Sequence, residues 1–323
     1  MTRMTAAAAA FFLLFFASAS TADAAYPDRQ ITLVVGFPPG SQPDLVARLL
    51  GQRLAENLGK PVVVENITGA AGNIAADRVA KAAPDGYTVG LLSQTQIAIN
   101  PTLYRLPYDP VKDFAPISLV TVSPNLLIVN SAVPASNVSE LVELAKAQPG
   151  GLTFASSGNG SGTHMAAGLF MASAGVDMRH IPYKGVVAAI PDLVAGRVTM
   201  MFSPLPVVLP LVREGKLRAL AVTSLRRSPA VPRLPTVAES GYPGFEATNW
   251  YGLVAPAGSP MSVVGRLQVE TARALGAPEL RDKLTALGIE VTGSTPEEFA
   301  AAIRAEIPRW AQVIRNLGIK PDQ

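Results

Sequence analysis

Two short segments hold the side chains best suited to chemistry. One is Phe37-Pro38-Pro39-Gly40-Ser41-Gln42-Pro43-Asp44, directly after the apolar run that starts at Ile31. The other is Ser157-Gly158-Asn159-Gly160-Ser161-Gly162-Thr163-His164, directly after the apolar run that starts at Leu152. Each leads from a strand-like stretch into a helix-like one. Small residues let main-chain N–H groups converge there, and the helix start adds unpaired N–H groups and a partial positive charge. Such a turn suits an anion, typically a carboxylate or a phosphate. One copy early in the chain and another midway suggest two domains gripping one small anionic ligand.

Other chemistries fit these residues poorly. Ser161 and His164 offer a nucleophile and a base, the alternative being a hydrolase. Neither Ser157 nor Ser161 lies in a G-x-S-x-G elbow, and the only histidine further along is His180. His164 reads instead as a helix-start residue tying its loop together, and His180 as structural. The chain has no cysteine and two histidines, which excludes thiolate sites and makes a poor zinc site. The glycine-rich turn lacks the Lys-Ser/Thr of a P-loop and the spacing of a dinucleotide fingerprint. With 27 basic and 24 acidic residues scattered along the chain, no basic stripe marks a nucleic-acid surface. The expectation is a binding protein with no catalytic residue, metal or cofactor. Asp44 reads as the N-cap of the first helix, touching an anion only indirectly. Gln94, ending the third strand, should point toward the ligand, with Tyr183, Asn249 and Tyr251 as further wall candidates.

The elements that must position these loops alternate, as in an α/β protein with largely parallel sheets. Strands are expected at 31–37, 61–65, 87–93, 126–129, 152–155, 178–181, 198–202, 217–223 and 250–254. Helices are expected at 44–58, 72–82, 138–147, from the second loop to 174, 186–195, near 209–214, and at 260–275, 278–287 and 296–317. Thr295 and Glu298 form a capping-box pattern for the last helix, with Pro296 at its first position. Residues 1–24 read as a signal peptide: Arg3, an apolar run over Ala6–Phe16, then Ala22-Asp23-Ala24. That run is shorter than the roughly 20 residues that cross a bilayer, so the mature chain should be soluble and exported. It should form one discontinuous domain, 26–126 plus 246–323, and one inserted domain, 127–245. Two crossings make a hinge, with the ligand in the cleft between domains.

Longer segments resemble a known family. YPDRQITLVVGFPPG, GKPVVVEN, AGNIAADRVAKAAPDGYTV, SSGNGSGTHM, HIPYKG, PTVAESGYPGFEA and GSTPEEFAA are similar, in order, to the Bug family, the extracytoplasmic receptors of tripartite tricarboxylate transporters. The resemblance covers essentially the whole mature chain. It implies a two-domain periplasmic-binding-protein fold of type II with an interdomain ligand cleft. It also implies a periplasmic, non-enzymatic receptor, expected to be a monomer, that carries a small carboxylate to integral-membrane permease subunits. A sensory receptor signalling to a membrane kinase is the alternative. Carried over residue by residue, the ligand-binding positions are Phe37, Pro38, Gly40, Ser41, Gln42 and Asp44 in the first loop. In the second they are Ser157, Gly158, Asn159, Gly160, Ser161, Thr163 and His164. Two departures stand out. Ser41-Gln42-Pro43 breaks the family's usual first loop, where Pro43 removes an N–H donor and Gln42 adds an amide. Ser203 stands where many relatives carry aspartate, which should favour an anionic or hydroxylated ligand over one with a cationic end.

Overall fold

The structure, a computed structural model, describes residues 26–318, without the side chain of Leu317. The expected signal segment, 1–24, lies outside the described residues. The first lobe opens with β1 (Ile31–Val35), α1 (Gln42–Leu58), β2 (Val62–Asn66), α2 (Asn73–Ala80) and β3 (Thr88–Ser93). A wide turn over Thr95–Ile99 and the short α3 (Asn100–Leu103) lead to β4 (Phe114–Asn130). The second lobe holds α4 (Val138–Ala147), β5 (Thr153–Ser156), α5 (Gly162–Ala174), β6 (Arg179–Pro182), α6 (Val186–Val194), β7 (Met200–Pro204), α7 (Leu205–Arg213) and β8 (Leu217–Val222). The chain returns through β9 (Thr248–Pro256) and ends in α8 (Met261–Gly276), α9 (Pro278–Ala286), β10 (Glu290–Val291) and α10 (Pro296–Leu317).

The strands follow the order β2-β1-β3-β9-β4-β7-β5-β6, with β8 and β10 also paired to β4. β1 is parallel to β2 and β3, and β5 is parallel to β6 and β7. Parallel strands feed helices at their carboxyl ends, so the β1–α1 and β5–α5 loops both emerge where α/β sheets bind ligands. Helices cover both faces of each lobe. Val46, Leu50 and Leu54 of α1 meet Val264 and Leu267 of α8 on one face of the first lobe. Val79 of α2 meets Phe299, Ile303 and Trp310 of α10 on the other. In the second lobe, Leu141 and Phe170 lie in one core, and Leu193, Leu205 and Val208 in the other.

β4 is the main departure from the sequence expectation. It runs for 17 residues, where only 126–129 was expected. Pro116, Pro124 and the buried hydroxyls of Ser118, Thr121 and Ser123 interrupt its apolar pattern, and bulges between Pro116 and Ser118 and between Leu119 and Thr121 break its alternation. Phe114–Pro124 pairs with β9, and Asn125–Val129 pairs with β7. The strand therefore changes partner between Pro124 and Asn125. Side chains tie this crossing to the return crossing. Asn125 N–H donates to Thr223 Oγ1 (2.8 Å), Asn125 Nδ2 donates to Ala247 O (3.1 Å), and Asn249 Nδ2 donates to Asn125 Oδ1 (2.7 Å). The last helix starts as expected, with both halves of the Thr295–Glu298 capping box formed.

Candidate functional site

The first loop is held from behind by Asp44. Gly40, at φ +79°, turns the chain so that its N–H donates to Asp44 Oδ2 (2.9 Å). Asn66 Nδ2 donates both to Asp44 Oδ1 (3.0 Å) and to Phe37 O (2.9 Å), and Arg48 pairs with the same carboxylate (2.9 Å). Asp44 is therefore not the N-cap that the sequence suggested. The helix begins two residues earlier, at Gln42 with Ser41 in the cap position, because Pro43 fits the first turn of a helix. Burial pushes the Asp44 carboxyl up, but bonds from Arg48, Gly40 and Asn66 outweigh it and hold it below its ordinary value of 3.8. A depressed folded-state value makes the stabilisation complete above 3.8 and lost as pH falls through the folded value. Asp44→Ala is expected to lose about 2–3 kcal/mol at neutral pH, leaving two buried donors unpaired. Urea unfolding at neutral and acid pH checks this, since the gap to wild type should shrink in acid.

The second loop is braced internally. Ser157 N–H donates to Thr163 Oγ1 (2.9 Å), and the two hydroxyls lie 3.1 Å apart. Ser161 caps α5 by accepting from His164 N–H (3.3 Å). His164 Nδ1 accepts from Gly160 N–H (3.1 Å), and its ring stacks on His180 at 4.0 Å. His180 Nε2 lies 2.6 Å from Ser156 Oγ. The histidine at the helix start ties its loop together, as the sequence suggested.

These loops meet at a narrow cavity of about 40 Å³, room for only a few waters. Four helix starts converge on it. Ser41, Gln42 and Pro43 come from α1, Gly162 and Thr163 from α5, Gly185, Val186 and Val187 from α6, and Pro204 and Val207 from α7. Phe37, Pro38 and Ser157 close one side, and Ser93, Gln94, Thr95, Asn249, Trp250 and Tyr251 the other. No acidic or basic side chain lines it. The lobes touch across it, with Gly162 N–H donating to Thr95 Oγ1 (3.1 Å) and Tyr104 O–H to Asn159 O (3.0 Å). A wider crevice of about 790 Å³ shares Phe37, Pro38, Ser157 and Gly185 with the cavity and adds Gly158, Asn159, Tyr183 and Lys184. Its lip includes Ala70 and Ala71, both in the left-handed region at φ 46° and 53°, a strained turn of the kind found at ligand clamps.

The sequence-derived positions thus fall into groups. Phe37, Pro38, Ser41, Gln42, Gln94, Ser157 and Thr163 line the cavity, while Gly158 and Asn159 line the outer crevice. Gly40, Asp44, Gly160, Ser161 and His164 shape the loops from behind. Ser203 is fully buried in β7, its hydroxyl donating to Pro204 O (3.3 Å), and Pro204 is what faces the cavity. The α6 and α7 starts went unrecognised because they lack a glycine-rich loop, although Gly185 before an apolar helix was a signal for α6. Glu306 of α10, behind the wall, was also missed. Its Oε2 accepts from Gln94 Nε2 (2.6 Å), Trp310 Nε1 (2.9 Å) and Trp250 Nε1 (3.3 Å), and its Oε1 from Arg309 (2.8 Å). Burial pushes its carboxyl up, but the Arg309 pair and the bonds from Trp310 and Gln94 prevail and hold it below its ordinary range. Among the described residues no group of three or more His, Asp or Glu is placed to hold a metal ion, and no helix is long and apolar enough to cross a membrane.

Comparison with known proteins agrees with this geometry. Residues 46–319 match the model of the tripartite tricarboxylate transporter family receptor. The chain is 38% identical over 297 residues to Protein BugT of Bordetella pertussis, covering 91% of each chain. Among solved structures it is similar to R. palustris Rpa4515 with adipate, at 39% identity and TM-score 0.89, covering 92% of this chain and 100% of that one. It is also similar to MatC from Rhodopseudomonas palustris with bound malate, at 36% identity and TM-score 0.84, covering 90% and 100%. The chain therefore belongs to the tripartite tricarboxylate transporter receptor family, periplasmic solute-binding proteins of two-domain α/β fold that act as receptors and not as enzymes.

Proposed function

We propose that this protein captures one small carboxylate in the cavity between its lobes and delivers it to the integral-membrane permease subunits of a tripartite transporter. The observation that carries this reading is the convergence of four helix starts on a cavity with no charged side chain. An anion there meets N–H groups and partial positive charge, with the Ser157 and Thr163 hydroxyls beside it. Donors that are dipoles, not cations, hold a charge reversibly, which suits capture followed by release. The adipate and malate in the two solved relatives are small carboxylates of this kind.

The moving bodies are 26–126 plus 246–323 on one side and 127–245 on the other, joined by β4 and the lead into β9. Opening would break the Gly162–Thr95 and Tyr104–Asn159 contacts, and ligand bridging the lobes would restore them. The chain works in the periplasm as a monomer after loss of residues 1–24, and it needs no cofactor.

Thermal unfolding with a panel of carboxylates tests the reading. A bound acid at a hundred times its Kd adds about 2.7 kcal/mol. Thr163→Val, which removes a lining hydroxyl and the anchor of Ser157, should lose most of that gain. Ser161→Ala should lower stability by about 1 kcal/mol, as for a lost helix cap, and keep the gain. Stabilisation by no acid, or an undiminished gain in Thr163→Val, would contradict the proposal.

A further inference from the structure

The cavity has two chemically opposite sides. The helix starts and the Ser157–Thr163 pair supply donors. The wall formed by Ser93, Gln94 and Asn249 supplies acceptors, because the donors of all three are directed elsewhere. Ser93 Oγ donates to Gln96 Oε1 (2.8 Å), and Gln96 is fixed in that orientation because its Nε2 donates to Gly72 O (2.9 Å). Asn249 Nδ2 donates to Asn125 Oδ1 (2.7 Å), and Asn125 is fixed by donating to Ala247 O. Asn249 Oδ1 then lies at the edge of the cavity, 2.6 Å from where a Cβ on Gly162 would stand.

Gln94 is the most strongly fixed of the three. A carboxylate only accepts, so the 2.6 Å contact with Glu306 Oε2 must come from the Gln94 amide nitrogen. Glu306 also gathers two indole N–H groups and Arg309, which hold it in place and ionised. The carbonyl oxygen of Gln94 has no partner among the described residues. The cavity is too narrow to keep a bridging water beside a ligand, so whatever binds must satisfy this wall itself.

Resting on the carboxylate-receptor reading, we infer that the ligand is a carboxylate carrying a hydroxyl, whose proton is donated to the Gln94 carbonyl with Ser93 and Asn249 beside it, and that Glu306 is the positioning residue that selects it. A second ionised carboxylate at this wall would meet acceptors, with the Glu306 charge directly behind them. An ammonium group would enter a cavity that no acidic side chain lines. An acid with no donor at all leaves the acceptors unpaired when the lobes close, and sites built to bond a hydroxyl reject analogues lacking it far more strongly than they resolve a methylene.

Calorimetric titration of the purified exported protein with matched acids tests this: malate against succinate, 4-hydroxybutyrate against butyrate and 4-aminobutyrate, and 4-hydroxybenzoate against benzoate. Among pairs that bind, the hydroxylated member should be tighter by about tenfold or more. Gln94→Leu should bring the ratio close to one by weakening the hydroxylated member. Glu306→Gln should narrow the ratio, because a second amide lets Gln94 turn its nitrogen toward the cavity. A purely structural role for Glu306 would lower stability and leave the ratio intact. Equal or tighter binding of the plain acid or the amine, or a ratio unchanged in Gln94→Leu, overturns the inference while the receptor reading stands. If none of the acids binds, the carboxylate reading fails and this inference falls with it.

Discussion

Gly162→Val is expected to abolish carboxylate binding and leave a folded protein. Gly162 is the first residue of α5 and lines the cavity. A Cβ there would stand 2.6 Å from Asn249 Oδ1 and 3.7 Å from Thr95 Oγ1, groups that belong to the opposite wall. A valine would fill space that the ligand needs and wedge the lobes apart where Gly162 N–H now meets Thr95. Overpacking costs about 1–3 kcal/mol, which alone is roughly 10–100-fold in affinity, and loss of ligand space adds to it. The first turn of a helix accepts valine, and the clash lies between the lobes and not inside either core, so each lobe should still fold. Calorimetry should find affinity lowered by about a hundredfold or more, with circular dichroism unchanged. A Kd close to that of wild type would mean that the ligand binds elsewhere.

Gly252→Ala is expected to be the most destabilising single methyl addition in the first lobe. Gly252 lies in β9 directly under Phe299 of α10, and a Cβ there would stand 1.9 Å from Phe299 Cζ and 2.4 Å from Cε1. Phe299 is fully buried among Val79, Trp250 and Val254, so the ring cannot swing away and α10 must shift. The loss should be about 3 kcal/mol, the upper end for overpacking, and urea unfolding measures it. Displacing α10 also displaces Glu306, so carboxylate affinity should fall along with stability. Adding Phe299→Leu should return part of the stability, since the smaller side chain frees the space the new methyl requires. If the double variant is no more stable than Gly252→Ala alone, the ring is not what opposes the methyl.

The two glycine loops were legible because they interrupt apolar runs with residue types that only a tight turn needs, and the cavity does form where they meet. Helix starts without such punctuation were not. The start of α7 is Pro204-Leu205-Pro206, in which nothing announces a ligand wall. Glu306 was invisible for a different reason. It sits on the C-terminal helix, 212 positions from Gln94, and only tertiary packing brings them within 2.6 Å. Asp44 illustrates a local error. Aspartate after proline has the signature of a cap, but Pro43 is itself helical, and the carboxylate instead reaches back to Gly40. Ser203 was expected at the ligand from its alignment with a relative's aspartate. Strand alternation turns its side chain into the protein and leaves Pro204 at the cavity. The long β4 shows how proline and buried hydroxyls in a central strand hide it from any rule based on apolar runs.

The measurement that tests the central claim most directly is a calorimetric titration of small mono-, di- and tricarboxylates into the wild-type protein and into Gly162→Val. The structure predicts saturable binding of at least one acid at a single site in wild type, and its loss in the variant. Failure of every acid to bind wild type, or equal binding to both proteins, would contradict the claim that a carboxylate is held among the four helix starts.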